Sequence, residues 1–135
     1  MKTIEALSGP SNHGKSTTLS MFADLIKTAF PTSVLAERQY KVDRTLILMI
    51  DGHKVGIETQ GDPGSRLEVS LRAFVDAHCE VIACACRLRG DTVELVKAVE
   101  RHGYSINWFA KSKSAAATHH LRDNIDVARC RMPVG

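Results

Sequence analysis

The sequence predicts an α/β domain of three layers, in which a mainly parallel sheet lies between helices. Short apolar runs alternate along the chain with segments whose apolar residues recur at helical spacing. An Asp-Gly pair between two of the apolar runs favours one antiparallel hairpin within this sheet. The 135 residues match the size of one domain, so we expect a single domain over residues 1–135.

The first half of the chain is predicted to form a strand, a helix and a hairpin. In order, these elements are a strand over 3–7, a helix that ends before 31, a surface connection over 32–44, and antiparallel strands over 45–50 and 54–59. Pro31 ends the helix because proline cannot continue it. Asp51 and Gly52 both accept the positive φ of a tight hairpin turn, so we assign Asp51 to turn formation, at the end of the sheet opposite to the loop that follows the first strand.

The second half of the chain alternates helices with strands. The predicted elements are a helix after Ser65, a strand over 80–86, a helix over 91–102, a strand over 104–110 and a last helix over 115–131. Ser65 and Asp91 are residues that favour helix N-caps, and Gly103 suits a helix end. Trp108 falls among apolar neighbours in a strand, so we expect it in the core.

Composition narrows the class of protein. Charged residues make up 24% of the chain and the net charge is +3, with the positive residues spread along the sequence, so nucleic-acid binding is not indicated. The four cysteines form no C-x-x-C pair and no secretory leader is visible, which favours a cytoplasmic location. No apolar stretch approaches the roughly 20 residues that cross a bilayer, and we expect no membrane partner.

One motif carries specific chemistry. Gly9-Pro10-Ser11-Asn12-His13-Gly14-Lys15-Ser16 matches G-x-x-x-x-G-K-[ST] and lies between a predicted strand and a predicted helix. Glycines allow the backbone N–H groups to wrap closely around phosphate oxygens at a helix N-terminus. Lys15 is expected to reach the β- and γ-phosphates, the Ser16 hydroxyl to coordinate Mg²⁺, and Thr17 to support the α-phosphate.

Through Gly9, Gly14, Lys15 and Ser16, and through the order of elements around them, the chain resembles the P-loop NTPase superfamily. The resemblance implies that Mg²⁺ and a nucleoside triphosphate bind here, with Asn12 and His13 as further phosphate-loop contacts. The role of His13 stays open. Small GTPases select guanine with an N-K-x-D sequence that this chain lacks, so ATP is expected ahead of GTP.

The segment Glu58-Thr59-Gln60-Gly61 is similar to the D-x-x-G switch of small GTPases, with glutamate in place of aspartate. This likeness implies that Glu58 approaches Mg²⁺ through a water, that the Gly61 amide contacts the γ-phosphate, and that 58–66 acts as a switch. Asp62 then falls where a side chain orients the attacking water, and Gln60 competes for that role. The alternative is that 62–64 only forms a turn.

Two further groups of residues have competing interpretations. Arg87 follows a buried strand at the sheet edge where open α/β folds bind ligands, but a solvated basic loop explains it equally well. A zinc site would need distant residues to meet, and we do not favour it; its candidates are Cys84, Cys86, His119 and His120.

The favoured function is an Mg²⁺-dependent ATPase. The alternatives are a small-molecule or nucleoside kinase, which shares the phosphate loop, and a nucleotide sensor without turnover. A homo-oligomer or a regulatory protein partner would fit a P-loop protein that is completed by an arginine in trans, for which Arg66, Arg87 and Arg89 are candidates.

Overall fold

The computed structural model describes residues 2–9, 14–41, 43–62 and 64–110. The phosphate-loop residues Asn12 and His13 lie outside the described residues. So do the predicted helix over 115–131 and the two histidines within it.

The described chain contains six strands and three α-helices. They are β1 (Lys2–Ser8), α1 (Lys15–Ala29), β2 (Val34–Tyr40), β3 (Asp43–Ile50), β4 (His53–Glu58), α2 (Leu67–Asp76), β5 (Val81–Cys86), α3 (Asp91–Ala98), a 3₁₀ turn (Val99–His102) and β6 (Tyr104–Ala110). Each element predicted for the described residues is present, and β2 is additional. No helix among these residues is both long and apolar enough to cross a membrane.

The strands form one mixed sheet in the order β2-β3-β4-β5-β1-β6. Strand β1 pairs in parallel with β5 and β6, and β4 pairs in parallel with β5. Strand β3 is antiparallel to both β2 and β4, so it alone runs against the direction of the other described strands. The ends of β1, β4 and β5, and the beginning of β3, therefore share one edge of the sheet, which we call the carboxyl edge.

Helices cover the two faces of the sheet, as the sequence predicts. Helix α1 packs Leu19 and Phe22 against one face, which includes Leu7 and Ile57. Helices α2 and α3 cover the other face, where Phe74 is buried in a second cluster. Strand β5 is buried along its whole length because it has helices on both sides, and it therefore appears as a continuous apolar run.

The prediction that residues 32–44 form a surface connection is wrong, because β2 occupies most of this segment. Strand β2 lies at the edge of the sheet and leaves many side chains exposed, so it lacks the apolar pattern of a buried strand. Arg44 links β2 to α1, because its guanidinium forms ion pairs with Glu37 on β2 at 3.1 Å and with Asp24 on α1 at 2.7 Å. Its side chain is only 8% exposed.

The turn and cap predictions have mixed outcomes. Asp51 and Gly52 form the hairpin turn with φ of 52° and 83°, which confirms the prediction for this pair. Gly103 ends the 3₁₀ turn with φ of 89°. Asp91 is the first residue of α3 and not its cap, since Gly90 precedes the helix and no side-chain cap bond forms. The Ser65 hydroxyl accepts a bond from the Leu67 amide, although α2 itself begins at Leu67.

The prediction that Trp108 lies in the core is wrong. Its side chain is 44% exposed. Strand β6 pairs with β1 on one side and ends the described sheet on the other, so its side chains have fewer neighbours than those of central strands.

Candidate phosphate-binding site

The motif residues lie where β1 passes into α1. Gly14 takes a left-handed conformation, with φ of 77°, directly before the helix, and glycine adopts this conformation without strain. Helix α1 begins at Lys15, so its first amide groups face the carboxyl edge of the sheet. The Gly9 amide donates to the Cys86 carbonyl at 3.1 Å, which holds the chain after β1 against the end of β5.

The Lys15 ammonium is held between the ends of two central strands. It donates to the carbonyl oxygens of Gly9 and Cys86, the latter at 2.8 Å, and the side chain is buried. Burial lowers the pKa of Lys15, and the negative charge of Asp62 opposes this shift. The fold thus places a lysine cation at the start of α1, where the helix dipole also favours anions.

The Ser16 hydroxyl links the beginning of α1 to the end of β4. It donates to the Thr59 carbonyl at 2.9 Å. A hydroxyl that donates its proton keeps its oxygen lone pairs, so Ser16 can still bind a cation. Thr17 lies exposed in the same helical turn, as a contact with phosphate would require.

Beside Ser16 the carboxyl edge carries a cavity of about 390 Å³. Its lining combines two carboxylates, an arginine and neutral polar groups with one apolar side chain. The lining residues are Ser16, Asp43, Gln60, Asp62, Gly64, Ser65, Arg66 and Val69. We refer to it as the edge cavity.

Asp62 and Arg87, which the sequence places on separate loops, meet at this edge. The Arg87 Nε donates to Asp62 Oδ1 at 3.0 Å. Both charges act on Lys15, since Asp62 raises its pKa and Arg87 lowers it. Two of the predicted site residues outside the phosphate loop therefore lie near the lysine that is expected to bind phosphate.

Glu58 has a different environment from the one predicted. It is fully buried, and its Oε1 accepts hydrogen bonds from the hydroxyls of Thr45, at 2.7 Å, and Ser70. Its Oε2 accepts from the main-chain amide of Gln60 at 3.1 Å. These bonds join β3, β4 and α2, so the geometry gives Glu58 a packing role and does not support a role next to Mg²⁺.

The sequence interpretation missed Asp43, an acid that does line the edge cavity. Its Oδ1 accepts from the Thr59 hydroxyl at 2.9 Å and its Oδ2 from the Gln60 side chain at 3.3 Å. The hairpin predicted from the sequence is sufficient to locate Asp43, because Thr45 pairs with Glu58 in it. Two residues before Thr45 in an antiparallel strand must lie at the edge where β4 ends.

Gln60 and Gly61 are fixed by contacts within the protein. The side-chain Oε1 of Gln60 accepts from the Arg66 main-chain amide at 3.0 Å, while its Nε2 donates to Asp43 Oδ2. Gly61 packs so closely on β5 that a Cβ at this position would lie 2.5 Å from the Ala85 carbonyl. The beginning of the predicted switch is therefore held firmly against the sheet.

Among the described residues, no group of three or more His, Cys, Asp or Glu side chains could hold a metal ion. Burial raises the pKa of Cys86 to about 11, so this thiol stays protonated near neutral pH when no metal is bound. Magnesium needs fewer protein ligands, because it keeps several waters and uses substrate phosphates. Ser16 and Asp43 are the described groups best placed to serve it.

No family model, curated protein or solved structure matches this chain. Any function assigned to it therefore rests on its own residues and their geometry.

Proposed function

We propose that this chain has a P-loop NTPase fold, binds a nucleoside triphosphate with Mg²⁺ at 9–17, and hydrolyses its γ-phosphate. The observation that carries the proposal is the joint placement of Lys15 and Ser16. A buried ammonium lies between the ends of β1 and β5, and the neighbouring hydroxyl faces the end of β4 and the edge cavity. Cation, hydroxyl and helix N-terminus thus converge where a triphosphate needs them.

Each group has a chemical task in this proposal. Lys15 pairs with the β- and γ-phosphates, exchanging its two carbonyl partners for phosphate oxygens, which are stronger acceptors because they are charged. Ser16 coordinates Mg²⁺. Asp43 takes the acid role that the sequence suggested for Glu58, either as a ligand or by accepting hydrogen bonds from metal-bound water.

Asp62 keeps its proposed role at the γ-phosphate end. It lines the edge cavity, and its negative charge raises the pKa of Lys15. Its carboxylate can orient the attacking water and accept a proton from it. Arg87 is paired with Asp62 in the same chain and can offset negative charge that develops on the phosphoryl group. The proposed site therefore contains an arginine of its own chain and does not need one from a partner.

The proposed switch is narrower than the sequence suggested. Glu58 is anchored by three hydrogen bonds and Gly61 is packed against Ala85, so both resist displacement. Nucleotide-dependent movement is then concentrated in 62–66, where Asp62 and Arg66 line the edge cavity. ATP remains the expected nucleotide because the guanine-selecting sequence is absent, and the free, buried Cys79, Cys84 and Cys86 fit the cytoplasmic location we propose.

The proposal is tested by incubating the protein with Mg²⁺ and γ-labelled ATP or GTP and measuring free phosphate. The variant Lys15→Ala is expected to abolish the release. Lys97→Ala is a matched control, because Lys97 is exposed on α3 and faces Glu94 at 3.8 Å. Equal release by the wild type and Lys15→Ala would show that the activity does not belong to this site.

A further inference from the structure

The edge cavity is larger than hydrolysis alone requires. Its volume is about 390 Å³, whereas the share of one molecule in liquid water is about 30 Å³. Pockets that bind small organic molecules begin at roughly 300 Å³. Polar groups form most of its lining, and Val69 adds an apolar surface. Mg²⁺ and its waters would take the part of this space beside Ser16 and Asp43, and the part lined by Asp62, Arg66 and Val69 is left for a small molecule next to the proposed γ-phosphate position.

Arg66 supplies this cavity with a cation that has unused hydrogen-bond capacity. Its guanidinium carbon lies 4.3 Å from the centre of the Tyr40 ring, in a cation–π contact. Within the described part of the chain, its Nε is buried and has no hydrogen-bond partner. Arg44 and Arg87 differ in this respect, since both donate to carboxylates.

The contact with Tyr40 places the Arg66 guanidinium carbon over the ring. The N–H groups of a guanidinium form a planar edge around this carbon. Such an edge matches a carboxylate or a phosphate, which accept two parallel hydrogen bonds. The Tyr40 hydroxyl in turn accepts from Arg38 at 3.3 Å, which helps to hold the ring.

Asp62 and Arg66 are brought to the same cavity by the turn between them. The Ser65 amide donates to the Asp62 carbonyl at 3.1 Å, which closes this turn. The side-chain Oε1 of Gln60 then accepts a hydrogen bond from the Arg66 main-chain amide and holds it in place. A small molecule that is anchored at Arg66 can therefore present a hydroxyl group to Asp62 within the same cavity.

We infer that the edge cavity binds the acceptor of the γ-phosphoryl group, a small molecule with a hydroxyl group and a carboxylate or phosphate group. This inference rests on the proposed nucleotide site. Arg66 pairs with the anionic group. The acceptor oxygen forms a bond to the γ-phosphorus while the bond from that phosphorus to the β–γ bridging oxygen breaks. The electron pair of the broken bond stays on the nucleoside diphosphate, and the hydroxyl proton passes to Asp62 and then to solvent. Water replaces the acceptor in the slower hydrolysis.

The test supplies the protein and Mg²⁺–ATP with D-glycerate, glycerol 3-phosphate or neutral glycerol. ADP and free phosphate are followed in parallel, and ³¹P NMR is used to look for a new phosphate ester. At least one anionic probe is expected to raise ADP formation without an equal rise in free phosphate, and glycerol is not. The comparison of D-glycerate with glycerol 3-phosphate tells whether the site prefers a carboxylate or a phosphate.

Two results would overturn the inference: neither anionic probe raises ADP formation, or glycerol works as well as they do. Both results leave Lys15-dependent nucleotide binding and phosphate release intact, so the proposed function would survive them. Loss of nucleotide binding by the wild type would be a failure of the proposed function itself.

Substitutions at Arg66 then test whether this residue binds the anionic group of the acceptor. Arg66→Gln is expected to raise the KM for the working probe by about tenfold to a hundredfold, with a smaller change in kcat, because a charge-assisted contact is lost. Arg66→Lys keeps the charge and should raise KM less. Arg72→Gln is the matched control on α2, since Arg72 is exposed and faces Glu68 at 3.8 Å. A wild-type KM in a folded Arg66→Gln protein would exclude Arg66 as the anchor.

Discussion

Replacing Gly61 by alanine probes the contact between the segment after β4 and strand β5. The added Cβ would lie 2.5 Å from the carbonyl carbon and oxygen of Ala85, and 2.6 Å from its Cβ. Comfortable separations between carbon atoms are about 3.5–4.0 Å, so the segment must move away from β5 by roughly 1 Å. Main-chain atoms of β5 cause most of this clash, and no side-chain rotation relieves it.

The expected loss of stability is that of an overpacked core, about 1–3 kcal/mol. For a domain of this size, such a loss lowers Tm by roughly 3–12 °C. The displacement also affects function, because Gly61 lies between Thr59, which accepts the Ser16 hydroxyl bond, and Asp62, which pairs with Arg87. Gly61→Ala is therefore expected to weaken nucleotide binding as well as folding.

Thermal unfolding followed by circular dichroism and nucleotide titration measure the two effects. Gly103→Ala is the control for backbone strain without a steric clash, because the φ of Gly103 is +89° and nothing lies within 4 Å of the added Cβ. Gly103 precedes β6, at the end of the sheet opposite to the carboxyl edge. It should lose stability by about 1–2 kcal/mol and keep its nucleotide affinity. A Gly61→Ala protein with wild-type Tm and wild-type affinity would refute the close packing of Gly61 on β5.

Three further substitutions test separate parts of the account. Glu58→Gln should lower the free energy of unfolding by about 1–3 kcal/mol, because the amide nitrogen of glutamine cannot accept a hydrogen bond as a carboxylate oxygen does. The Mg²⁺ concentration for half-maximal turnover should stay unchanged, and a large shift in it would show that Glu58 acts at the metal site. Asp62→Asn should lower kcat by about a hundredfold or more, as measured by phosphate release in stopped-time assays. An unchanged kcat would show that Asp62 takes no part in the reaction. A hydrogen bond from Lys27 lowers the pKa of Glu37, so the stability Glu37 contributes is present above pH 4.5 and is lost as pH falls through the lower folded pKa. The Tm difference between wild type and Glu37→Gln should therefore shrink below pH 4.5, and a gap that widens there would contradict this assignment.

Much of the fold could be predicted because β1, β4 and β5 are central and buried. Strand β5 is apolar throughout, and the Asp51-Gly52 turn has a distinctive local chemistry. The meeting of Asp62 with Arg87 also follows from general geometry, since both residues come after parallel strands that end at the same edge. Local sequence and the period of apolar residues are sufficient for the strand and the turn, and the parallel course of β4 and β5 explains the meeting of the two side chains.

The remaining features depend on contacts that a single sequence does not display. Strand β2 is an exposed edge strand whose position depends on β3 and on Arg44, so its own pattern resembles a loop. Glu58 matched a known switch in its spacing, but the distant hydroxyls of Thr45 and Ser70 occupy its carboxylate. The predicted hairpin already places Asp43 near the end of β4, but the structure shows that Asp43 lines the edge cavity.

Nucleotide binding by Lys15 is the most direct test of the central claim. We would titrate a non-hydrolysable ATP analogue with Mg²⁺ into the wild type, Lys15→Ala and Lys97→Ala by isothermal calorimetry. The account predicts binding to the wild type and Lys97→Ala, and an affinity for Lys15→Ala that is lower by tenfold or more, because a charge-assisted contact is worth about 1.5–3 kcal/mol. Equal affinity in Lys15→Ala, or no binding of ATP or GTP analogues to the wild type, would contradict the assignment of this edge as a nucleotide site.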